Sequence, residues 1–349
     1  LNDYRYEIWQ DGVYENDSSQ FNDVDFNRQI HSAYATYTNR LAKFDFMLGL
    51  RAEYINRLFE SNSLNNSWKY EKFDIFPSVH LSRKLPMEFQ AQASYSMRTR
   101  RPRSWFLDPF LSKMDEYNYR KGNPDLAPAY IDSYELNIQK RFGKHFVSLE
   151  GFYRKTRDKF ERITRVDENN SDVLIHTFDN IGSDQSFGLE LMGNLNLFSW
   201  WNLNVTGDIY QYTLDAIVDD LSSTKSTITY SGRLNSTFKI EKTNTRLQLR
   251  GMYRSPSVTA QGERGEFFTL NTAVRQYFMD RRLSVMFSLD DILGTYRHER
   301  IKETDDFYTR HSFDMLSPTF RITVSYTLND YKRRNEEHEG VEVESGGMM

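Results

Sequence analysis

The chain has 349 residues, no cysteine, and 45 basic against 49 acidic side chains, a formal charge of −4. Without cysteine there are no disulfide frameworks, thiolate zinc sites or cysteine nucleophiles, and the near-neutral balance argues against a nucleic-acid partner. The longest apolar run, 46–50, falls far short of the roughly 20 residues a membrane helix needs, yet an aromatic share of 15% is too rich for a disordered chain.

Residues 1–27 read as an extracellular loop or the stump of a strand. Tyr4, Tyr6 and Ile8 fall weakly on one face, and the polar stretch 11–25 follows. Residue 1 is Leu and no signal peptide opens the sequence, which fits a mature or truncated product. From there on the dominant feature is alternation with period two. Phe46, Leu48, Leu50, Ala52 and Tyr54 oppose Asp45, Met47, Gly49, Arg51 and Glu53. Phe89, Ala91, Ala93, Tyr95 and Met97 oppose Gln90, Gln92, Ser94, Ser96 and Arg98. The same pattern returns over 187–197, 228–239, 246–253 and 320–328. Each segment reads as an antiparallel strand with one apolar face.

About thirteen such segments occur, most of roughly 10 to 13 residues; a tilted strand crossing a bilayer needs about 9–11 and a soluble strand nearer 5–6. Short joints at 41–44, 85–87, 143–144, 199–201, 240–244 and 279–282 alternate with long polar stretches at 57–73, 99–131, 157–184, 213–226, 254–266 and 294–311. Short turns on one rim and long loops on the other are the pattern of transmembrane barrels, with the long ones outside the cell. Charges keep to the polar faces. The exception is Lys140, which shares a face with Tyr134, Leu136 and Ile138 but lies close enough to a short turn to snorkel. Tyr54, Tyr95, Tyr134, Phe142, Tyr153, Tyr253 and Tyr326 near strand ends, with Trp200 and Trp201 in a turn, fit interfacial girdles. A mean hydropathy of −0.71 then follows from one-in-two lipid contact and polar loops.

The expected fold is all-β, a transmembrane antiparallel up-and-down β-barrel occupying 1–328. An odd strand number cannot close alone. Either a fourteenth strand completes a small barrel, or this is the C-terminal part of a larger one, which the missing start favours. The segment 329–349 carries Lys332, Arg333 and Arg334, then Glu336, Glu337, Glu339, Glu342 and Glu344, and reads as a disordered periplasmic tail.

Candidate chemistry is sparse. The seven histidines lack metal-ligand spacing, and no phosphate cradle or nucleophile elbow occurs, so neither catalysis, cofactor nor metal is expected. Asp219–Asp220 and Asp305–Asp306 have the chemistry for calcium, but solvated loops are the simpler reading. The most suggestive cluster is Arg98, Arg100, Arg101 and Arg103 with Trp105 and Phe106. Guanidinium forks there suit an anionic ligand or lipopolysaccharide phosphates, and the rings suit stacking on a sugar or siderophore. The competing reading packs this loop inside the barrel mouth and pairs its arginines with lumen carboxylates.

Three stretches carry a family resemblance. Tyr95-Ser96-Met97-Arg98 leads into Arg101-Pro102-Arg103-Ser104-Trp105 and Leu107-Asp108-Pro109-Phe110, then Gly122-Asn123-Pro124-Asp125-Leu126-Ala127-Pro128 and the strand through Tyr134-Glu135-Leu136. Asp290-Asp291-Ile292-Leu293-Gly294-Thr295 is similar to a penultimate-strand ending, with Leu293 and Gly294 replacing the usual Phe and Asn. The terminal strand runs through Tyr326 and Leu328, and 30–37 also fits. Together these resemble TonB-dependent outer-membrane receptors of the outer-membrane protein β-barrel family. The resemblance implies a barrel of about 22 strands around an N-terminal plug, of which this chain supplies about the last thirteen. It further implies uptake of a scarce nutrient (glycan, siderophore or peptide class), with outer-membrane lipid and lipopolysaccharide, the TonB complex and a SusD-like surface lipoprotein as partners. A receptor-like barrel serving as an assembly subunit, or a passive channel of about fourteen strands, are the alternatives.

Overall fold

The computed structural model describes residues 2–4, 7–10, 13–16 and 22–328; the expected tail 329–349 lies outside them. Thirteen strands form one antiparallel sheet in chain order: β1 (Asn22–Leu41), β2 (Phe44–Ser61), β3 (Asn66–Lys84), β4 (Phe89–Arg100), β5 (Ala129–Phe142), β6 (His145–Val166), β7 (Leu174–Phe198), β8 (Trp201–Val218), β9 (Leu221–Ile240), β10 (Thr245–Arg254), β11 (Phe267–Phe278), β12 (Leu283–Asp290) and β13 (Thr319–Tyr326). Residues 2–4 pair with 22–24, so the outer end of β1 already lies within the stretch 1–27. Among the described residues the sheet stays open, with β13 paired only to β12.

The six short turns fall where the alternation breaks, and all lie on one rim. Leu48, Leu50, Leu136, Ile138, Leu189, Leu191, Ile322 and Val324 point outward and are exposed. An apolar belt of this kind has lipid as its natural partner. Lys140 sits at the inner end of that belt with its Nζ 4.6 Å from the Phe89 ring centroid. At the same rim Phe198, Trp200, Trp201 and Phe238 stack, and Trp201 Nε1 donates to Ser236 Oγ at 2.8 Å.

The outer half departs from the sequence expectation. Strands of about 10 to 13 residues were expected from the lipid-crossing length, but β7 has 25 and β6 has 22. Much of 57–73, 157–184 and 213–226, expected as loops, is paired strand, and the β8–β9 turn shrinks to 219–220. Beyond the lipid the outward face no longer has to be apolar, and the inward face packs against irregular segments of the chain. The apolar alternation therefore stops while the backbone ladder continues.

A bulge in this outer half re-aims side chains. The β6–β7 register shifts around Lys159, opposite Gly182 at φ +127°, where an added Cβ would lie 2.4 Å from the Asp215 carbonyl oxygen. Lys159, Phe160 and Glu161, consecutive in sequence, consequently all line one cavity. Above β9–β12 a four-stranded sheet of Ser257–Thr259, Gly262–Arg264, Arg297–Glu303 and Tyr308–Asp314 caps the mouth.

Candidate ligand site in the extracellular mouth

The segment between β4 and β5 folds back onto the inward face of the sheet. Arg57, on the same face of β2 as Glu53, donates to the carbonyls of Leu126 at 3.0 Å and Pro124 at 2.8 Å. Asn180 of β7 brackets Ala127, accepting its N–H at 2.9 Å and donating to its carbonyl at 3.2 Å. Leu107 and Leu126 are buried with Val24, Phe59, Phe160 and Phe178. The Gly-Asn-Pro motif has a steric reason: Gly122 N–H donates to Asp108 O at 2.6 Å, and a Cβ there would meet two carbonyl oxygens at 2.6 Å. Asn123 Oδ1 then accepts the Asp125 N–H at 3.0 Å, setting the turn.

Of the six residues singled out in the sequence, Arg100, Arg101, Arg103 and Phe106 reach the wall of a cavity of about 610 Å³; Arg98 and Trp105 do not. Arg101 is ion-paired with Glu53, an inward-facing carboxylate, as the packed-loop reading expects. Arg98 approaches Glu135 at 3.9 Å. Arg100 donates to Phe160 O at 2.9 Å and lies over its ring at 4.4 Å. Phe106 stacks on Phe178 at 4.0 Å, with Trp105 edge-on to both. Asp219, weighed for calcium, accepts from Arg165 Nε at 2.5 Å.

The rest of the wall comes from segments far apart in sequence: Lys159, Glu161 and Arg162 of β6, Tyr210 and Tyr212 of β8, and Arg264, Arg300 and Lys302 of the cap sheet. A second cavity of about 700 Å³ shares Arg162, Arg264, Arg300 and Lys302, and adds Asp115, His176, His298 and His311. Sequence reasoning missed these cations because they lie in stretches without periodicity. The only available signal was Arg300 and Lys302 at strand spacing.

The cap sheet is tied down by mimicry of a backbone pair. Gln261 Oε1 accepts the Thr164 N–H at 2.7 Å, and its Nε2 donates to Thr164 O at 2.7 Å. At the cap's far end Asp291, from the Asp-Ile-Leu-Gly-Thr motif, accepts the N–H groups of Thr295 at 3.1 Å and Tyr296 at 2.8 Å. These bonds aim the following strand, which carries Arg300 and Lys302.

Two kinds of cation meet in the mouth. Lys159 is satisfied, with Glu161 and Asp184 each at 2.8 Å and the Tyr212 hydroxyl at 2.5 Å. Burial pulls its ammonium down, but the two carboxylates outweigh that and hold it above the usual lysine range. Lys302 instead heads a chain of hydrogen bonds. Its Nζ donates to Thr164 Oγ1 at 2.6 Å, Thr164 donates to His176 Nδ1 at 2.9 Å, His176 Nε2–H donates to Asn118 Oδ1 at 3.0 Å, and Asn118 Nδ2 donates to Asp115. Donor direction fixes the His176 tautomer. Burial, then the charges of Arg162 and Lys302, push His176 down to about 4. Burial, then Arg162 and Arg300, push Lys302 down to about 8.

An up-and-down antiparallel sheet with a lipid-facing apolar belt, short inner turns and a filled outer mouth defines an outer-membrane β-barrel protein. The chain belongs to the outer membrane protein beta-barrel family, which matches residues 1–326, and its place is the outer membrane. Among solved structures it is similar to the siderophore receptor PirA from Pseudomonas aeruginosa (14% identity, TM-score 0.55, 84% of this chain and 57% of that one). It is also similar to the ferric yersiniabactin uptake receptor FyuA from Yersinia pestis (12%, 0.59, 84% and 45%). A third is the FrpB iron transporter from Neisseria meningitidis (13%, 0.53, 76% and 41%). The chain thus spans about half the length of these proteins, and at such identities the likeness is one of fold. No curated protein matches the sequence.

Proposed function

We propose that this chain forms the C-terminal part of the barrel of an outer-membrane receptor that takes up a scarce nutrient of the glycan, siderophore or peptide class. In this reading further strands complete a barrel of about 22, a plug fills its lumen, and the TonB complex, engaged through the N-terminal region, opens it. The observation that carries the reading is the mouth. The segment between β4 and β5 is bound down on the inward face, leaving two cavities of about 610 and 700 Å³ that open among cationic and aromatic side chains. Those volumes suit a small ligand. The sheet left open among the described residues, and fold neighbours named as receptors or transporters for siderophores and iron, add support.

The test is deletion of the whole gene in its own bacterium, followed by growth on single nutrients at limiting concentration. The receptor reading expects loss of growth on one nutrient class, restored by the full-length gene but not in cells lacking TonB. Uptake that persists without TonB would favour a passive channel. No uptake defect, with stable subunits co-purifying, would favour an assembly role. A SusD-like lipoprotein over the mouth would co-purify in a ligand-dependent manner.

A further inference from the structure

We propose that Arg162, Arg264, Arg300 and Lys302, at the junction of the two mouth cavities, hold a small, multiply anionic ligand bearing two or more carboxylate or phosphate groups. The inference rests on the receptor reading and narrows its substrate class. It begins with what the four cations lack. Among the described residues, no carboxylate pairs with Arg162, Arg264 or Arg300. The nearby Glu161 is engaged by Lys159 and Glu299 by Arg310. Arg101 and Lys159, lining the same space, each have their own carboxylate. Arg100 turns to the Phe160 carbonyl and ring instead, and Arg103 and Arg254 each border one cavity only, so the four cations are distinguished by standing at the junction of both.

Placement adds to this. Arg264 and Arg300 are direct cross-strand partners, and His311 is the next partner beyond Arg300. Like charges opposite each other destabilise a sheet, so this row has an electrostatic cost that an anion would relieve. Arg162 reaches the same point from β6. Lys302 arrives through its bond to Thr164, so its ammonium is oriented in advance. Burial first, and then the charges of Arg162 and Arg300, hold Lys302 below the usual lysine range, in keeping with positive charge gathered at this point. Because all four cations border both cavities, a ligand with two anionic groups can place one in each. Guanidinium forks suit carboxylate and phosphate oxygens. The site faces inward, opposite the lipid-contacting belt, so its ligand is soluble.

The test uses the purified full-length protein in lipid nanodiscs and isothermal calorimetry with citrate and tripolyphosphate as probes. At least one is expected to bind saturably, with affinity falling as salt rises, while acetate binds at least tenfold more weakly. R264Q/R300Q should weaken binding tenfold or more, R300K should lose less, and K242Q, in an inner-rim turn, should bind as the parent does. If R264Q/R300Q does not fold, R162Q alone is expected to weaken binding several-fold. Absence of saturable binding of either polyanion, or equal affinity in parent and in the folded cationic-site variants, overturns the proposal. A nutrient-uptake defect on gene deletion with no polyanion binding removes this inference and leaves the receptor reading. Binding without any uptake defect removes the receptor reading and leaves the anion site.

Discussion

Along β7, Phe187 and Leu189 are 67% and 50% exposed, whereas Phe178 and Ile181, a few residues earlier, are 6% and 0% exposed. The two ends of this one strand solve the same problem with different partners. Near the short turns apolar side chains face outward to lipid, and the polar residues between them turn inward. Near the mouth apolar side chains are buried by other parts of the protein: Phe178 by the β4–β5 segment, Ile181 by Ile163, Leu214, Ala216 and Ala260. The inner half therefore depends on the bilayer, and the outer half on interactions within the chain. Charges follow the same division. They are kept off the lipid face below; above, an enclosed cation such as Lys159 is paired with carboxylates, while Arg162, Arg264 and Arg300 stay open to the cavities.

The largest expected effect would come from breaking the outer half at that lysine. K159M leaves Glu161 and Asp184 without their shared cation, and removal of one partner of a buried pair costs about 3–5 kcal/mol. Urea titration in lipid vesicles followed by tryptophan fluorescence should show it, and a cost under about 1 kcal/mol would mean the cluster is not buried. Next, L191R places a guanidinium on the lipid face, at a cost of about 2–4 kcal/mol near mid-membrane. The same change at Leu221, exposed at the β8–β9 turn, should stay within about 0.5 kcal/mol. Equal effects at the two positions would erase the division between the halves. G122A forces a methyl against the Asp108 and Phe106 carbonyls; overpacking of this kind costs about 1–3 kcal/mol, read as faster hydrogen exchange over 101–128.

The smallest effect is a pH dependence confined to the mouth. His176 faces Asn118, Thr164, Arg162 and Lys302, with Asp115 beyond Asn118. It is held near 4 in the folded protein against an ordinary 6.5. The unfolded segment therefore binds a proton that the folded one excludes. The contribution of neutral His176 is complete above 6.5 and is lost as pH falls from 6.5 to 4. Exchange at 112–120 should accelerate across that window in the parent and less in H176Q, with the apolar belt unaffected. A slope unchanged in H176Q would assign the acid sensitivity to carboxylates instead.

Much of the inner half was legible in the sequence. Lipid on one side and a polar lumen on the other impose a strict period of two, so strand positions, short turns and even the outlying Lys140 could be read directly. The outer half was less so. Much of the loops expected at 157–184 and 213–226 is paired strand, because a strand whose apolar side chains pack against irregular segments rather than lipid carries no strict hydrophobic alternation. The arginine cluster was half legible. Its packed-loop reading holds for Arg101 and Glu53, but the unpaired cations Arg162, Arg264 and Arg300 lie in stretches without hydrophobic period, where the strand spacing of Arg300 and Lys302 was the one signal.

By itself, then, the sequence determined the membrane-crossing sheet and its direction, because burial against lipid is periodic and local, while the motifs at 95–136 and 290–295 carried the family resemblance. Only the tertiary structure decided which charges meet in the mouth. Arg162 and Arg300 are brought together by the return of distant loops over one another, and nothing in the spacing of residues along the chain records where such loops come to rest.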